Sequence, residues 1–391
     1  MRIAQLLQRL RNLGAKPCHE DRLLRGWSQV CSYDRKSSPA VNFFPLAMRN
    51  ELPAIEAELD GLARLHGKYP ANGHRMDTTN NHGSHDRSFS PTLTEPLAIR
   101  PSPQAGKSPV ISRIAGEGAN AALRASSDSD GVARLLVELA DGQLVESVLL
   151  PRGGLCVSTQ VGCAVGCVFC MSGRAGLQRQ LGSAEIVAQV VLARRRRAVS
   201  KVVFMGMGEP AHNLDNVCEA IQVLGTQGNI GHKNLVFSTV GDLRVFERLP
   251  QEKVKPALAL SLHTTDAAMR EKLLPRAPQI AIEELVDHAE AYARATGYPV
   301  QYQWTLLAGV NDSDAELERI AELLAGKYAV MNFIPFNAVD GLAYSRPSPE
   351  RIAYMVYTLK RRGILAKIRD SAGQEIEGAC GQLRARAVKA Q

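Results

Sequence analysis

Apolar residues recur at two different spacings along this chain, and the change from one to the other divides it. Near the N-terminus the spacing is helical, in Ile3-Ala-Gln-Leu-Leu-Gln-Arg-Leu and in Leu52-Pro-Ala-Ile-Glu-Ala-Glu-Leu-Asp-Gly-Leu-Ala-Arg-Leu, which predicts a small helical unit over residues 1–66. Over 67–112 the periodicity lapses into Asn, His, Ser, Thr, Pro and Gly, as in Met76-Asp-Thr-Thr-Asn-Asn-His-Gly-Ser-His-Asp. So few apolar positions cannot bury a core, which predicts a disordered linker. The extension over 113–155 carries the alternation Val132-Ala-Arg-Leu-Leu-Val-Glu-Leu, the turn signal Asp141-Gly142 and then Gln-Leu-Val-Glu-Ser-Val-Leu-Leu, a predicted β-hairpin. In the core, 156–383, short apolar runs alternate with helical patterns. Strands are predicted at Lys201–Met205, Leu235–Thr239, Ala257–His263, Val300–Leu307, Ala329–Pro335 and Leu365–Arg369. Helices are predicted at Asp215–Leu224, Ile282–Thr296, Ser313–Ala325 and Pro349–Arg362, with a further helical pattern from Ser183. This alternation predicts an α/β fold, a parallel sheet curled into a full or partial barrel, with its chemistry on loops at the C-terminal strand ends. Residues 384–391 are read as a basic tail.

Composition narrows the setting. The chain has 391 residues, 45% of them hydrophobic, enough for a real core, yet no run reaches the roughly 20 consecutive apolar residues of a membrane span. The N-terminus reads as an amphipathic helix without a signal-peptide apolar region, so a cytoplasmic, monomeric protein is expected. Four of the eight cysteines fall between Cys156 and Cys170, which suits metal or catalytic use in a reducing compartment; Cys18, Cys31 and Cys218 read as packing residues. The formal net charge of +8 favours a polyanionic partner, and residues 351–391 hold nine Lys and Arg against three acids, a local excess of 9 − 3 = +6. Read as lysine and arginine without interleaved aromatics, this region is expected to contact phosphates rather than bases. The run Arg194–Arg197 fits a solvated helix end and an RNA contact equally. His74, His82 and His85, in the polar linker, read as solvated side chains.

Candidate chemistry starts at Gly162-Cys-Ala-Val-Gly-Cys-Val-Phe-Cys170. The CxxxCxxC of Cys163, Cys167 and Cys170 offers three thiolates, one fewer than full protein ligation of a four-iron cluster requires. Zinc is the alternative, with Cys156 as a fourth ligand, although structural zinc usually draws on two separated ligand pairs. Gly206-Met-Gly-Glu-Pro210 follows a predicted strand, its glycines admitting close backbone approach and Glu209 offering an acceptor for an ammonium group. Ser238, Ser261-Leu262-His263 and Asn337 also fall at strand ends, so a common pocket is expected. Cys156 stands seven residues before Cys163, and Cys380 lies in Glu377-Gly-Ala-Cys-Gly-Gln-Leu383.

The cysteine triplet with the glycine-glutamate motif resembles the radical S-adenosylmethionine (SAM) superfamily. Together with Cys156 and Cys380 it resembles the RlmN/Cfr family of radical SAM RNA methyltransferases, continuously from about Glu146 to Leu383. Leu13-Gly-Ala-Lys-Pro-Cys-His-Glu-Asp-Arg-Leu-Leu-Arg-Gly-Trp27 is similar to that family's accessory helical domain, whereas Ser238-Thr-Val-Gly departs from its usual Ser-Thr-Ser-Gly, as in a divergent RlmN-like paralogue.

The resemblance implies a radical SAM partial (β/α)6-type barrel behind a small N-terminal helical domain. It implies a [4Fe-4S] cluster on Cys163, Cys167 and Cys170, its open iron chelating SAM, and SAM contacts from Gly208, Glu209, Ser238, Ser261, Leu262, His263 and Asn337. It further implies methylation at C2 or C8 of an adenosine, in 23S ribosomal RNA or transfer RNA, with flavodoxin or ferredoxin as electron donor. In that chemistry Cys380 is the S-methylcysteine intermediate, Cys156 resolves the RNA adduct through a transient disulfide with Cys380, and Glu146 is the proton acceptor. A radical SAM enzyme with a non-RNA substrate and a noncatalytic iron–sulfur RNA-binding regulator are the rival readings.

Overall fold

The computed structural model describes residues 1–34, 39–70, 131–339, 341–369 and 371–385. Most of the predicted linker, the first part of the extension (113–130) and the end of the tail (386–391) lie outside the described residues, and with them His74, His82 and His85.

Four helices come first: α1 (Ile3–Asn12), α2 (Pro17–Gln29), α3 (Ala40–Phe43) and α4 (Leu46–Gly61). The helical unit stops short of residue 66, because Ala63–Pro70 forms strand β1, pairing antiparallel with β2 (Ala133–Leu139). The backbone hydrogen bonds of β1 come from a partner beyond the linker, so nothing local announced it. β2 pairs with β3 (Leu144–Leu150) across the predicted Asp141-Gly142 turn, and β3 pairs antiparallel with β4 (Gly154–Cys156). A two-stranded ribbon of β5 (Gln160–Gly162) and β6 (Leu177–Gln180) brackets the cysteine loop, and α5 (Ser183–Arg194) follows it.

From β4 the sheet is parallel. β7 (Lys201–Phe204), β8 (Leu235–Thr239), β9 (Ala257–Ser261), β10 (Val300–Leu306), β11 (Ala329–Pro335) and β12 (Leu365–Ile368) add in sequence, interleaved with α6 (Leu214–Gly225), α7 (Leu243–Arg248), α8 (Ala267–Leu273), α9 (Ile282–Thr296), α10 (Asp314–Leu323) and α11 (Pro349–Arg361). Among the described residues the order β1-β2-β3-β4-β7-β8-β9-β10-β11-β12 leaves β1 and β12 as free ends, so the sheet is a partial barrel. Six parallel strands, β4 to β11, form that barrel, with β12 added at one end and the hairpin at the other. β8 is buried at every position, as a strand covered by helices outside and a filled barrel inside must be. The helices start where sequence says they should: the Ser313 and Ser348 hydroxyls accept from Glu316 N at 3.2 Å and Arg351 N at 3.1 Å.

The N-terminal helices share the barrel's core, with Leu6, Leu10, Leu23 and Ile55 in one buried cluster with Ile186, Val187 and Val190 of α5. The first turn of α1 finds acceptors on the barrel helices, Ile3 N donating to Ser183 Oγ at 2.7 Å and Ala4 N to Glu219 Oε1 at 2.8 Å. The arginine run completes the junction. Arg194 donates to the carbonyls of Ser28 (2.7 Å), Gly228 (2.8 Å) and Val199 (3.1 Å), Arg197 to those of Gly154 (2.8 Å) and Leu150, and Arg195 pairs with Asp60. Of the two readings of Arg194–Arg197, the structure therefore favours neither as stated: the run fastens helices and hairpin to the barrel. Among the described residues no helix is long and apolar enough to cross a membrane.

Candidate active site

The three cysteines sit between β5 and β6 on a loop held at both ends and in the middle. Cys163 N donates to Gly176 O at 3.2 Å, Val168 N to Leu273 O at 3.1 Å, and Arg276 N to Val165 O at 3.3 Å, which ties the loop to the end of α8. Cys163, Cys167 and Cys170 line one cavity of about 460 Å³ that extends through the barrel interior, from Lys201 and Gln301 near the strand starts to Ser238 and Ser261 at the strand ends. Burial pushes the Cys163 thiol up to about 12 and that of Cys167 well upward, the neighbouring cysteines adding to the effect. Such a trio carries negative charge only beside a metal. Among the described residues no three His, Cys, Asp or Glu converge on one ion. Cys156, the fourth ligand that zinc would need, is instead influenced by Cys380 and Arg369. Three cysteines on one loop, lining a cavity whose glycine-glutamate turn offers no further thiolate, suit three corners of a cubane cluster better than one tetrahedral ion.

The glycine-glutamate turn after β7 closes on the segment that leads into this loop. A Cβ at Gly206 would lie 2.7 Å from the Val157 backbone, and Gly208, at φ +107°, would drive one into Thr159 and Gln160. Gln160 in turn accepts from Glu209 N at 2.7 Å. The Glu209 carboxylate accepts from Ala211 N and Val240 N, each at 3.0 Å, and burial pushes it up to about 7. A buried carboxylate in that condition gains most from a cationic partner, and an ammonium group is one that would fit.

Ser238, Ser261 and His263 line the same cavity. His263 Nδ1 accepts from Thr305 N at 2.9 Å, which places the ring proton on Nε2, and burial pulls its pKa down to about 3. It is a neutral donor, packed edge-on against Phe169 of the cysteine loop at 4.8 Å. Leu262 turns its fully buried side chain into the core.

Cys156, at the end of β4, and Cys380, on the C-terminal segment, line the cavity with the triplet. All eight cysteines are free thiols, so the disulfide expected between Cys156 and Cys380 is not formed here. The Cys156 thiol is pushed up to about 12 by burial first and by Cys380 second, against the pull of Arg369. The Cys380 segment is held by its backbone: Gly381 O accepts from Met171 N at 2.7 Å, Leu383 O from Ser172 Oγ at 2.8 Å, and Cys380 O from Asn337 Nδ2 at 3.0 Å. Asn337 is thus outside the cavity lining, and its amide positions Cys380.

Glu146 is also outside that lining. It is fully buried on β3, where Oε1 accepts from Arg134 Nη1 at 2.5 Å and Oε2 from Arg384 N at 2.9 Å. Burial pushes its carboxyl up to about 7 against the pull of Arg134. Arg384, the first residue of the basic tail read over 384–391, also pairs with Glu377 and so is anchored to the Cys380 segment.

Comparison with known proteins agrees with this geometry. The radical SAM superfamily model matches residues 157–324. A solved radical SAM methyltransferase from Sphaerobacter thermophilus is 39% identical, with a TM-score of 0.63 over 67% of this chain and 80% of that one. A protein of Azoarcus sp. (strain BH72), named a probable RNA methyltransferase, is 59% identical over 100% of this chain and 96% of its own length. Its namesake from Pseudomonas aeruginosa PAO1 is 57% identical over 100% and 96%. The chain belongs to the RlmN-like family of radical SAM RNA methyltransferases. For a family member the cavity also holds groups that the sequence did not single out. Arg369 donates to Gln303 Oε1 at 3.0 Å and to the Met205 sulfur at 3.3 Å, and Lys201 stands at the other end of the barrel interior. Arg270 is buried behind the site, donating to Val240 O, and feels Cys167 and Glu209. Asn311 donates to His263 O at 2.7 Å and Thr305 O at 2.8 Å, fixing the turn that presents His263. Each stands beside other polar or charged residues in the sequence, as in Arg270-Glu-Lys and Asn311-Asp-Ser-Asp, a signal with too many other causes to read unaided.

Proposed function

We propose that this protein methylates a carbon of an adenosine, C2 or C8, in RNA, with ribosomal RNA of the large subunit as the first candidate substrate and transfer RNA as the second. The reading is carried by one observation: Cys156 and Cys380, from opposite ends of the barrel sequence, line the same cavity as the CxxxCxxC triplet. Cys163, Cys167 and Cys170 would hold a [4Fe-4S] cluster, which supplies the electron for reductive cleavage of SAM, drawn from a donor such as flavodoxin or ferredoxin. Glu209 would hold the ammonium group of SAM, with Gly208 lining the cavity beside it. Ser238, Ser261 and His263 offer hydroxyl and Nε2–H contacts, and Leu262 contributes only backbone between the last two.

Ring carbons C2 and C8 of adenine are electron-poor, which is why a sulfur-borne carbon is needed in place of direct attack on a SAM methyl. Cys380 carries that carbon, its loop held by Asn337 and by the cysteine loop. Cys156, giving up its thiol proton, then attacks the Cys380 sulfur: a sulfur–sulfur bond forms, the carbon–sulfur bond breaks, and its electron pair stays on the ring-bound methylene carbon, which takes up a proton to become the methyl group. Glu146, near 7, is suited to accept a proton, and reaching the ring would require the Cys380 segment to shift from its carboxylate.

Anaerobic incubation of the reconstituted protein with SAM, reductant and either ribosomal or transfer RNA, followed by mass spectrometry of the nucleosides, tests this. 2-Methyladenosine or 8-methyladenosine in either RNA supports it. Cleavage of SAM without methylated adenosine in any RNA points to another substrate, and no cleavage at all points to a noncatalytic role.

A further inference from the structure

The outer face of α11 bears tyrosines where the basic C-terminal region was expected to hold only cations. Ile352, Met355 and Leu359 point inward, and the opposite stripe is Ala353, Tyr354, Tyr357, Lys360 and Arg361, all exposed, at helical spacing. Tyr354 is 50% and Tyr357 61% exposed, values that stand out for aromatic side chains on a helix whose other face is packed. The Arg351 guanidinium lies over the Tyr354 ring at 5.3 Å and that of Arg361 over the Tyr357 ring at 6.0 Å. Next to this stripe, β12 is the free edge of the sheet among the described residues and exposes Leu365, Lys367 and Ile368.

Solvated arginines need no such rings beside them, and an apolar protein interface would not be laid with cations. Alternating aromatic faces and cations fit one class of partner. Unpaired bases stack on the rings while the guanidiniums and ammonium groups follow the phosphates. The placement suits the site too. β12 leads directly into the segment that carries Cys380, and α11 begins after the loop that holds Asn337. Charge complementarity points the same way, since the region from 351 onward carries +6 of the chain's +8 formal net charge.

We propose that the Tyr354–Tyr357 stripe of α11, with Lys360 and Arg361, is a docking platform for a single-stranded segment of the RNA substrate; Arg351, paired with Asp314 at 2.6 Å and donating to Asp312 O at 2.7 Å, steadies the Tyr354 ring. The platform rests on the RNA reading above. Base stacking tolerates any sequence, so the platform places the strand and does not select the nucleotide. Duplex RNA, whose bases are already stacked, does not use the rings.

The test uses the full-length, cluster-loaded protein, a fluorescent 20-nucleotide oligoadenylate and a 20-base-pair RNA duplex. Tyr354→Ala/Tyr357→Ala is expected to weaken oligoadenylate binding by about tenfold or more at every salt concentration, since each lost stack contributes on that order. Duplex affinity and RNA-independent SAM cleavage stay as in the wild type. Tyr354→Phe/Tyr357→Phe, which keeps the rings, binds as the wild type does. Arg361→Gln is expected to reduce the slope of log affinity against log salt by about 0.7, one phosphate contact on a single strand. Unchanged oligoadenylate affinity in the double alanine variant overturns the platform, as does a loss equal for strand and duplex. Conversion of a wild-type dimer to a monomer in sedimentation, with RNA affinity untouched, overturns it in favour of a contact between copies. A wild-type protein that binds neither RNA defeats the RNA reading itself, a result distinct from any of these.

Discussion

At the scale of single residues, the site separates groups that face the cavity from groups that hold those groups still. Asn337 belongs to the second kind, because its amide is spent on the Cys380 carbonyl at 3.0 Å. Asn337→Ala is expected to slow methyl transfer about tenfold, the equivalent of about 1.4 kcal/mol for one buried hydrogen bond, while RNA-independent SAM cleavage changes less. Parallel assays of 5′-deoxyadenosine and methylated nucleoside check this; an equal loss of both would return Asn337 to the SAM pocket. His263 makes a second prediction through its pKa, which burial pulls down to about 3. The unfolded chain takes up a proton near 6.5 and the folded one does not, so the stability His263 permits is full above about 6.5 and is lost as pH falls toward 3. Unfolding free energy measured between pH 7 and 5 is therefore expected to drop more steeply in the wild type than in His263→Gln, by up to about 1.4 kcal/mol per pH unit. Parallel slopes would contradict it. Glu209 and the cysteine triplet were legible in the sequence because their chemistry depends on residue type and short spacing. The hand that Asn337 and Glu146 have in the Cys380 segment was not, because it joins positions far apart in the chain.

At the scale of elements, long periodic segments announced themselves and short ones did not. Ile282–Thr296 and Ala329–Pro335 lie where the pattern put them, since each has enough turns or alternations to declare a face. β4, β5 and β6 and the helices α7 and α8 went unread: three- to seven-residue pieces are fixed by partners elsewhere, as β4 is by β3 and β7. The arginine run shows the same limit, because a guanidinium that caps carbonyls and one that meets phosphate look identical in a sequence. Arg197→Gln is expected to destabilise the fold by about 1–3 kcal/mol, leaving the carbonyls of half-buried Leu150 and buried Gly154 short of a donor, without changing the salt dependence of RNA binding. Denaturant titration together with a binding series at several salt concentrations checks both halves. A flattened salt slope with intact stability would restore the run to the RNA surface.

For the whole molecule, β1 and β2 decide what the intervening stretch can be. Pro70 and Ala133 face each other at the open end of an antiparallel pair, so a short turn can join them. Replacing residues 71–130 by a Gly/Ser turn of about four residues is expected to keep the fold, the cluster and methyl transfer. Failure of the shortened protein to fold or to load iron would make that stretch structural. The loaded protein itself is expected to be brown and oxygen-sensitive, with about four irons per chain, as an iron–sulfur cube on three cysteines requires. A colourless protein holding one zinc after anaerobic reconstitution would contradict it.

The central claim is that Cys156 and Cys380 perform opposite halves of one covalent cycle in a shared cavity, and comparing their alanine variants tests it most directly. Cys380→Ala is expected to lose methyl transfer and form no adduct, since no sulfur remains to carry the carbon. Cys156→Ala is expected to carry the cycle to the covalent adduct and stop, leaving RNA attached through Cys380. Both are to be purified from cells, shown to hold their cluster, and run on denaturing gels with and without ribonuclease. The account predicts a ribonuclease-sensitive mobility shift in Cys156→Ala alone. No shift in cluster-loaded Cys156→Ala, with similar modest losses of stability in both variants, would contradict it and leave the two cysteines as packing residues.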